Sequence, residues 1–307
     1  MAQNLFLSIG ECMIEMSTPG EGSYRLAFAG DTLNTAWYAR ALLGSDWEVA
    51  YFTRLGADPY SARLRGFLDQ NGISTRFIGT DPVRIPGLYM IDVKDGERSF
   101  TYWRDNSAAR GLADDPEALQ AALAGADVIY VSAITLAILA PDRRDVLIAA
   151  LSRARAMGKL TVFDTNIRTR LWPDLDTLRQ VTMRTAAVAE IVLPSFEDEQ
   201  QIFGDADPDA TILRYQSAGA GTVVVKNGGG PIHARQGGVS LTPVSFAQVT
   251  PVDTTGAGDS FNGALLARLL DDVALSDAIA VAHGVASRVI GARGALIPMG
   301  DAAAAAA

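Results

Sequence analysis

Val128-Ile-Tyr-Val131, then Asp142-Arg-Arg-Asp-Val-Leu-Ile-Ala-Ala-Leu-Ser-Arg-Ala-Arg-Ala-Met157, then Leu160-Thr-Val-Phe163 is the stretch that decides the fold. The two outer runs are short, β-branched and apolar but for Thr161, as strands buried on both faces are. The segment between them repeats at helical spacing, with Val146, Leu147, Ala150 and Leu151 near one stripe. Strand, helix, strand in that order is a parallel crossover unit. The pattern recurs on both sides: further strand runs fall at 5–9, 49–52, 191–193 and 223–225, and a helical stretch at 32–43 carries Leu33, Ala36, Trp37 and Leu43. The expected fold is α/β, a mostly parallel sheet covered on both faces by helices.

Two segments break this rhythm. Residues 11–28 and 84–104 read as antiparallel strand pairs, the clearest being 87–93 and 98–104 around Lys94-Asp95-Gly96-Glu97. Asp-Gly between alternating strands is a strong hairpin turn signal. These strands are expected to form a small discontinuous β-sheet lid, with the α/β domain made of residues 1–10, 29–83 and 105–307.

The chain has 307 residues, 49% of them hydrophobic and 20% charged, which suits a globular protein with a sizeable core. A formal net charge of −9 argues against nucleic acid as a partner, because phosphate neutralisation needs clustered Lys and Arg. An anionic ligand would need a few well-placed cations and backbone N–H groups. Cys12 is the one cysteine, so an intrachain disulfide and a multi-cysteine metal site are excluded, and it is read as an inert core residue. With His233 and His283 as the two histidines, no metal site is assigned. The start lacks a basic n-region and a cleavage site, and no apolar run is long enough to span a bilayer, so a cytoplasmic location is expected, with no membrane partner. Alanines 302–307 carry no chemistry.

Chemistry concentrates in Asp253-Thr-Thr-Gly-Ala-Gly-Asp259, followed by 260–270, which reads as an amphipathic helix. A Gly256-Ala257-Gly258 turn entering a helix presents free N–H groups and the positive end of the helix dipole to one point. That is an anion site suited to a phosphoryl group in transfer. Asp259 at the same place is positioned to take the proton of an attacking hydroxyl. The run is neither a Walker loop, which ends in Gly-Lys-Ser/Thr, nor a dinucleotide fingerprint.

This motif closely resembles the C-terminal signature of the ribokinase-like (PfkB) carbohydrate kinases. The resemblance runs along the chain in order: Gly10-Glu11 after the first strand, Ala29-Gly30-Asp31-Thr-Leu-Asn34 as a glycine-rich sugar motif, Pro194-Ser195-Phe-Glu-Asp198, and Val225-Lys226-Asn-Gly228. Ser195 and Asp198 stand where the family has Asn and Glu, and Ala29 where it often has Gly. The resemblance implies a three-layer α/β/α body with a lid, ATP and Mg2+ as cofactors, and a homo-oligomer formed through the lid. It implicates Asn166, Ser195, Lys226, Gly228 and the backbone of Gly256, Ala257 and Gly258 in ATP binding. His283 is read as bordering the adenine or as a satisfied helix histidine.

Further runs are similar to the branch of the family that acts on 2-keto-3-deoxy sugar acids: Gly10-Glu-Cys-Met-Ile-Glu15, Pro86-Gly-Leu-Tyr89, Tyr102-Trp-Arg104 and Asp164-Thr-Asn166-Ile-Arg168-Thr-Arg-Leu-Trp172. The implied substrate is a small sugar acid, contacted by Gly30, Asn34, Tyr89, Tyr102, Arg104 and Arg168, with its terminal hydroxyl at Asp259. A carboxylate needs a cation, and Arg168, just past a parallel strand, sits where open α/β sheets bind ligands. Arg170 is read as a solvated surface charge. Strand alternation sends one of Tyr102 and Trp103 inward, and Tyr102 is chosen for its hydroxyl. The alternatives are a kinase of a neutral sugar such as fructose or ribose, and a non-catalytic sugar-acid sensor.

Overall fold

The computed structural model describes residues 3–20, 23–94, 97–247 and 249–299; the Asp95-Gly96 turn and the terminal alanines lie outside them. The body is a sheet of ten strands. Its parallel centre runs Thr222–Val225, Ile191–Val192, Leu160–Asp164, Val128–Ser132, Asn4–Ile9, Trp47–Leu55, Ile73–Ser74, with Ile78–Thr80 also paired to Trp47–Leu55. His233–Gln236 and Val239–Ser240 extend one edge in antiparallel fashion.

Side-chain alternation divides the core between the two faces of this sheet. Phe6, Val49, Tyr51, Val128, Tyr130, Val162 and Val224 pack with helices Asp31–Leu42, Pro59–Gln70, Ala257–Leu270 and Leu275–Ile290. Leu5, Leu7, Ile9, Phe52, Ile129, Val131, Phe163 and Val223 pack with Pro116–Gly125, Pro141–Ala156, Leu175–Ala186 and Pro208–Ala218. Three layers follow, α/β/α, as the sequence pattern indicates. Cys12 is buried in the first core, and burial pushes its thiol pKa up. Asp58, Asp115, Asp174 and Asp207 each cap a helix by accepting from its first-turn N–H groups, at about 1 kcal/mol per cap.

Winding reverses beside Asn4–Ile9. The chain places Trp47–Leu55 on one side of that strand and Val128–Ser132 on the other. A crevice opens at the carboxyl ends of the strands at such a point. A separate four-stranded sheet lies over it, in the order Ser23–Ala29, Met13–Gly20, Leu88–Lys94, Glu97–Trp103. The outer pairs are antiparallel and the two hairpins join through a parallel central pair. Lys94 pairs with Glu97 at the end of the second hairpin's ladder.

The amphipathic reading of 260–270 does not hold. In helix Ala257–Leu270 every residue from Ser260 to Ala267 is buried, polar Ser260 and Asn262 included. Packing explains this: the helix lies between Asp31–Leu42 and Leu275–Ile290 and has no broad solvent face. Gly263 permits the close approach, because a Cβ there would stand 2.6 Å from the Thr35 carbonyl oxygen and 2.8 Å from Tyr38 Cβ. Gly263→Ala is expected to force the two helices apart at a cost of about 1–3 kcal/mol, the range for overpacking. Calorimetry should register a lower Tm, and an unchanged Tm would mean that the two helices accommodate the methyl group.

Candidate active site

A cavity of about 480 Å3 occupies the crevice between the strand ends and the small sheet. The body supplies Gly30, Asp31, Asn34, Asp164, Asn166, Arg168, Arg170, Ser195, Asp198 and Lys226, and the loop from Thr254 to Asp259. The small sheet and its exit supply Met13, Tyr89, Phe100, Tyr102 and Arg104.

The glycine turn is shaped from behind. Buried Asp253 accepts from the Thr255 N–H at 3.0 Å and the Gly294 N–H at 2.7 Å. Gly256, the N-cap of Ala257–Leu270, has φ of 77°, and a Cβ there would meet the Ala295 carbonyl oxygen at 2.9 Å. Left-handed backbone and close approach both require glycine at this position. Ala257 N–H closes the turn on the Thr254 carbonyl at 3.2 Å, while those of Gly256 and Gly258 have no acceptor among the described residues. Free N–H groups at a helix start favour an anion.

Below the turn lies a polar network. Asn34 Nδ2 donates to Asp259 Oδ2 at 2.7 Å. Lys226 Nζ donates to Asp164 Oδ1 at 3.0 Å and to Asn262 Oδ1 at 3.2 Å. Asn262 Nδ2 in turn reaches Asp164 Oδ2 at 2.9 Å and the Tyr130 hydroxyl at 3.0 Å. Asp31 accepts from Asn166 Nδ2 at 3.0 Å. Lys226 is thus no plain strand-end charge, and its ammonium lies 3.7 Å from where a Gly258 Cβ would stand.

Three carboxylates share this region, and their electrostatics set Asp259 apart. Burial first, then the neighbouring Asp31 charge and that of Asp164, push its pKa up to about 8; the Asn34 hydrogen bond and Lys226 oppose the rise. Asp31 is raised as well, by burial and by Asp164. Asp198 is raised mainly by burial, against the pull of Arg168 at 4.0 Å.

Arg104 is buried and ion-paired with Glu11. Tyr89 lines the cavity, but its hydroxyl donates to Glu15. Tyr102 faces inward, stacked on Tyr89 at 5.6 Å, while Trp103 is 56% exposed on the far side. Arg168 lines the cavity and donates to its neighbour's carbonyl, that of Ile167, at 2.7 Å.

Two expected residues stand outside the cavity. Gly228 lies in the turn beyond Lys226 with φ of 53°. His283 stacks on Phe246 at 3.9 Å and pairs with Ser287 at 3.1 Å, the geometry of a satisfied helix histidine. Arg170, read as a surface charge, instead lines the cavity with its Cζ 3.9 Å over the Tyr102 ring. Asp31, Asp164 and Asn262 have no role in the sequence reading. Asp164 carried a signal, an acid at the carboxyl end of a parallel strand. Among the described residues, no group of three or more His, Cys, Asp or Glu is placed to hold a metal, and no helix is long and apolar enough to cross a membrane.

The fold and this anion turn define a phosphotransferase of the α/β type, and comparison with known proteins agrees. The profile of the pfkB family carbohydrate kinases matches residues 3–302. The 2-dehydro-3-deoxygluconokinase of Dickeya dadantii (strain 3937) is 38% identical over 298 residues, 95% of this chain and 96% of that one. A fructokinase of Vibrio alginolyticus is 30% identical over 262 residues, 85% of this chain and 82% of its own. The crystal structure of the Thermotoga maritima 2-dehydro-3-deoxygluconokinase superposes with a TM-score of 0.82 at 20% identity, covering 96% of each chain. This chain belongs to the pfkB family of carbohydrate kinases.

Asp259 gains a proton more readily folded than unfolded, so its contribution to stability declines as pH rises from about 4 through about 8. Asp259→Asn removes that loss. Its Tm relative to the unaltered protein is expected to climb between pH 5 and pH 8, and a gap constant with pH in thermal melts would contradict the raised pKa.

Proposed function

We propose that the chain phosphorylates 2-keto-3-deoxygluconate, the same compound as 2-dehydro-3-deoxygluconate, at its 6-hydroxyl, with ATP as donor. The observation that carries the mechanism is Asp259 at the start of helix Ala257–Leu270, beside the N–H groups of Gly256 and Gly258. The acceptor hydroxyl lies against Asp259, which takes its proton as the oxygen attacks the γ-phosphorus in line. Charge gathering on the transferred phosphoryl is met by the glycine N–H groups, with Lys226 close beneath. Asn34 orients Asp259 through its 2.7 Å hydrogen bond. The nucleotide runs along Asn166, Ser195, Lys226 and the turn at Thr254 to Gly258. The keto acid contacts Gly30, Asn34, Tyr89, Tyr102, Arg104 and Arg168.

The donor set suits a Mg2+ carried by phosphate oxygens and waters, with Asp198 as a neighbouring carboxylate, and not one caged by protein ligands. Such an ion supplies charge neutralisation between the phosphates. The small sheet acts as a lid, and the enzyme works in the cytoplasm.

The exposed side of the small sheet carries Trp103 and Ile85, each 56% exposed, along an apolar groove with Leu88 and Met90. Two open sheet edges flank it, and edges of this kind are normally covered. A second copy paired through this sheet covers them. Trp103→Glu is expected to lower the mass in light scattering to that of a monomer, and an unchanged mass would remove the lid from the interface.

A coupled ADP-release assay tests the activity. 2-Keto-3-deoxygluconate should turn over faster than 2-keto-3-deoxygalactonate, fructose or ribose, and a faster neutral sugar would defeat the substrate assignment. Asp259→Asn should lower kcat by at least about a hundredfold while the keto acid still binds. Arg168→Ala should raise KM for the keto acid by roughly tenfold and leave KM for ATP in place, the scale of one lost charge-assisted bond.

A further inference from the structure

Three arginines line the cavity, and their partners tell them apart. Arg104 is buried and already paired with Glu11. Arg168 spends a donor on the Ile167 carbonyl at 2.7 Å and faces Asp198 at 4.0 Å. Arg170 has neither a carboxylate nor a carbonyl partner among the described residues. Its contact is with the face of Tyr102, where Cζ lies 3.9 Å from the ring centroid.

That contact engages the plane of the guanidinium and leaves its N–H edge free. Stacking also limits the motion of an otherwise exposed side chain, so less order is lost when the edge binds a ligand. Arg170 stands on the turn Thr169–Leu171 of the body, whereas Tyr102 belongs to strand Glu97–Trp103 of the small sheet. The pair therefore spans the cavity from body to small sheet. The same ring lies 6.0 Å from Arg104 Cζ, so Tyr102 has two guanidinium groups close to it.

Charge fixes which end of an anionic sugar goes there. Asp31, Asp164 and Asp259 line the cavity around the Asn34 and Lys226 hydrogen bonds, and in their ionised forms they repel a carboxylate. A sugar acid whose hydroxyl meets Asp259 must turn its carboxylate away from them. We propose that Arg170 is a specificity-determining residue that binds the substrate carboxylate through its guanidinium edge, with its plane held by Tyr102. The proposal rests on the sugar-acid reading above and adds to it a residue that the sequence pattern did not single out.

The test compares 2-keto-3-deoxygluconate with its neutral amide in steady-state kinetics of the unaltered enzyme, Arg170→Met and Arg170→Lys. The unaltered enzyme is expected to favour the acid. Arg170→Met should raise KM for the acid roughly tenfold, leave KM for the amide and for ATP in place, and so erase most of the preference. Arg170→Lys should recover part of it, since charge is kept and the planar fork is lost. An equal loss for acid and amide would mean that Arg170 merely holds the small sheet, and would overturn the proposal. A KM for the acid within twofold of the original in Arg170→Met would do the same. Failure of the unaltered enzyme to phosphorylate the acid at all would instead bring down the substrate reading, and the proposal with it.

Discussion

The ammonium of Lys226 holds the ends of three elements at one point. It follows strand Thr222–Val225, donates to Asp164 at the end of Leu160–Asp164, and donates to Asn262 on helix Ala257–Leu270. Asp31, Asp164 and Asp259 all line the cavity that this cation borders. Without it their mutual repulsion would be uncompensated in a region where burial already opposes charge. The network is costly to build and its geometry is correspondingly strict. Helix Ala257–Leu270 cannot drift to relieve it, because the helix is enclosed along most of its length. Asp259 is consequently held at a helix start, beside glycine N–H groups, with a pKa far above that of an ordinary carboxylate. On the mechanism proposed above, the ionised form of such a carboxyl is a stronger base than an ordinary carboxylate, which suits removal of a proton from a sugar hydroxyl.

A second buried charge pair governs the small sheet. Glu11 leaves the body just before Met13–Gly20, and Arg104 re-enters it just after Glu97–Trp103. Their ion pair ties the entry of one segment to the exit of the other. A Cβ on Gly87 would stand 2.8 Å from Glu11 Oε1, so the second hairpin also starts against this carboxylate. A buried pair adds little net stability, but losing one partner costs about 3–5 kcal/mol. Its consequence is positional: the aromatic row of Tyr89, Phe100 and Tyr102 is hung from a fixed point over the cavity.

The parallel body was legible because its strands are buried on both faces, and such strands are apolar on nearly every residue. The turn from Gly256 to Asp259 was legible because its glycines and the start of the helix fall within one short run. The burial of helix Ala257–Leu270 was not. Ser260, Asn262 and Gly263 read as a polar face until the neighbouring helix is known to cover them, and Asn262 finds its partners only across the fold. Arg170 escaped for the same reason. Its sequence neighbours give no hint of Tyr102, and a lone exposed arginine is most often solvated. His283, for which two readings stood side by side, stacks on Phe246 and pairs with Ser287, and its own sequence neighbours do not announce the contact with Phe246.

The two ends of the cavity do different jobs, and this bears on how substrate choice is set. On the proposed mechanism, Asp259, the glycine turn and Lys226 serve any sugar hydroxyl, since their roles concern the phosphoryl group and one proton. Discrimination must come from groups that touch the rest of the sugar. Those lie on the small sheet and on the turn after Leu160–Asp164, and include the three arginines that line the cavity. Burying Arg104 with Glu11 leaves that pair little net charge to attract a ligand, and Arg168 is partly offset by Asp198. Among the described residues, Arg170 is the cavity arginine with no carboxylate within ion-pair distance, and on the proposal above it is the cation that a chain with a net charge of −9 turns toward its substrate. A neutral sugar would gain nothing from it, whereas a carboxylate placed there satisfies the cation and escapes the acidic end in the same movement.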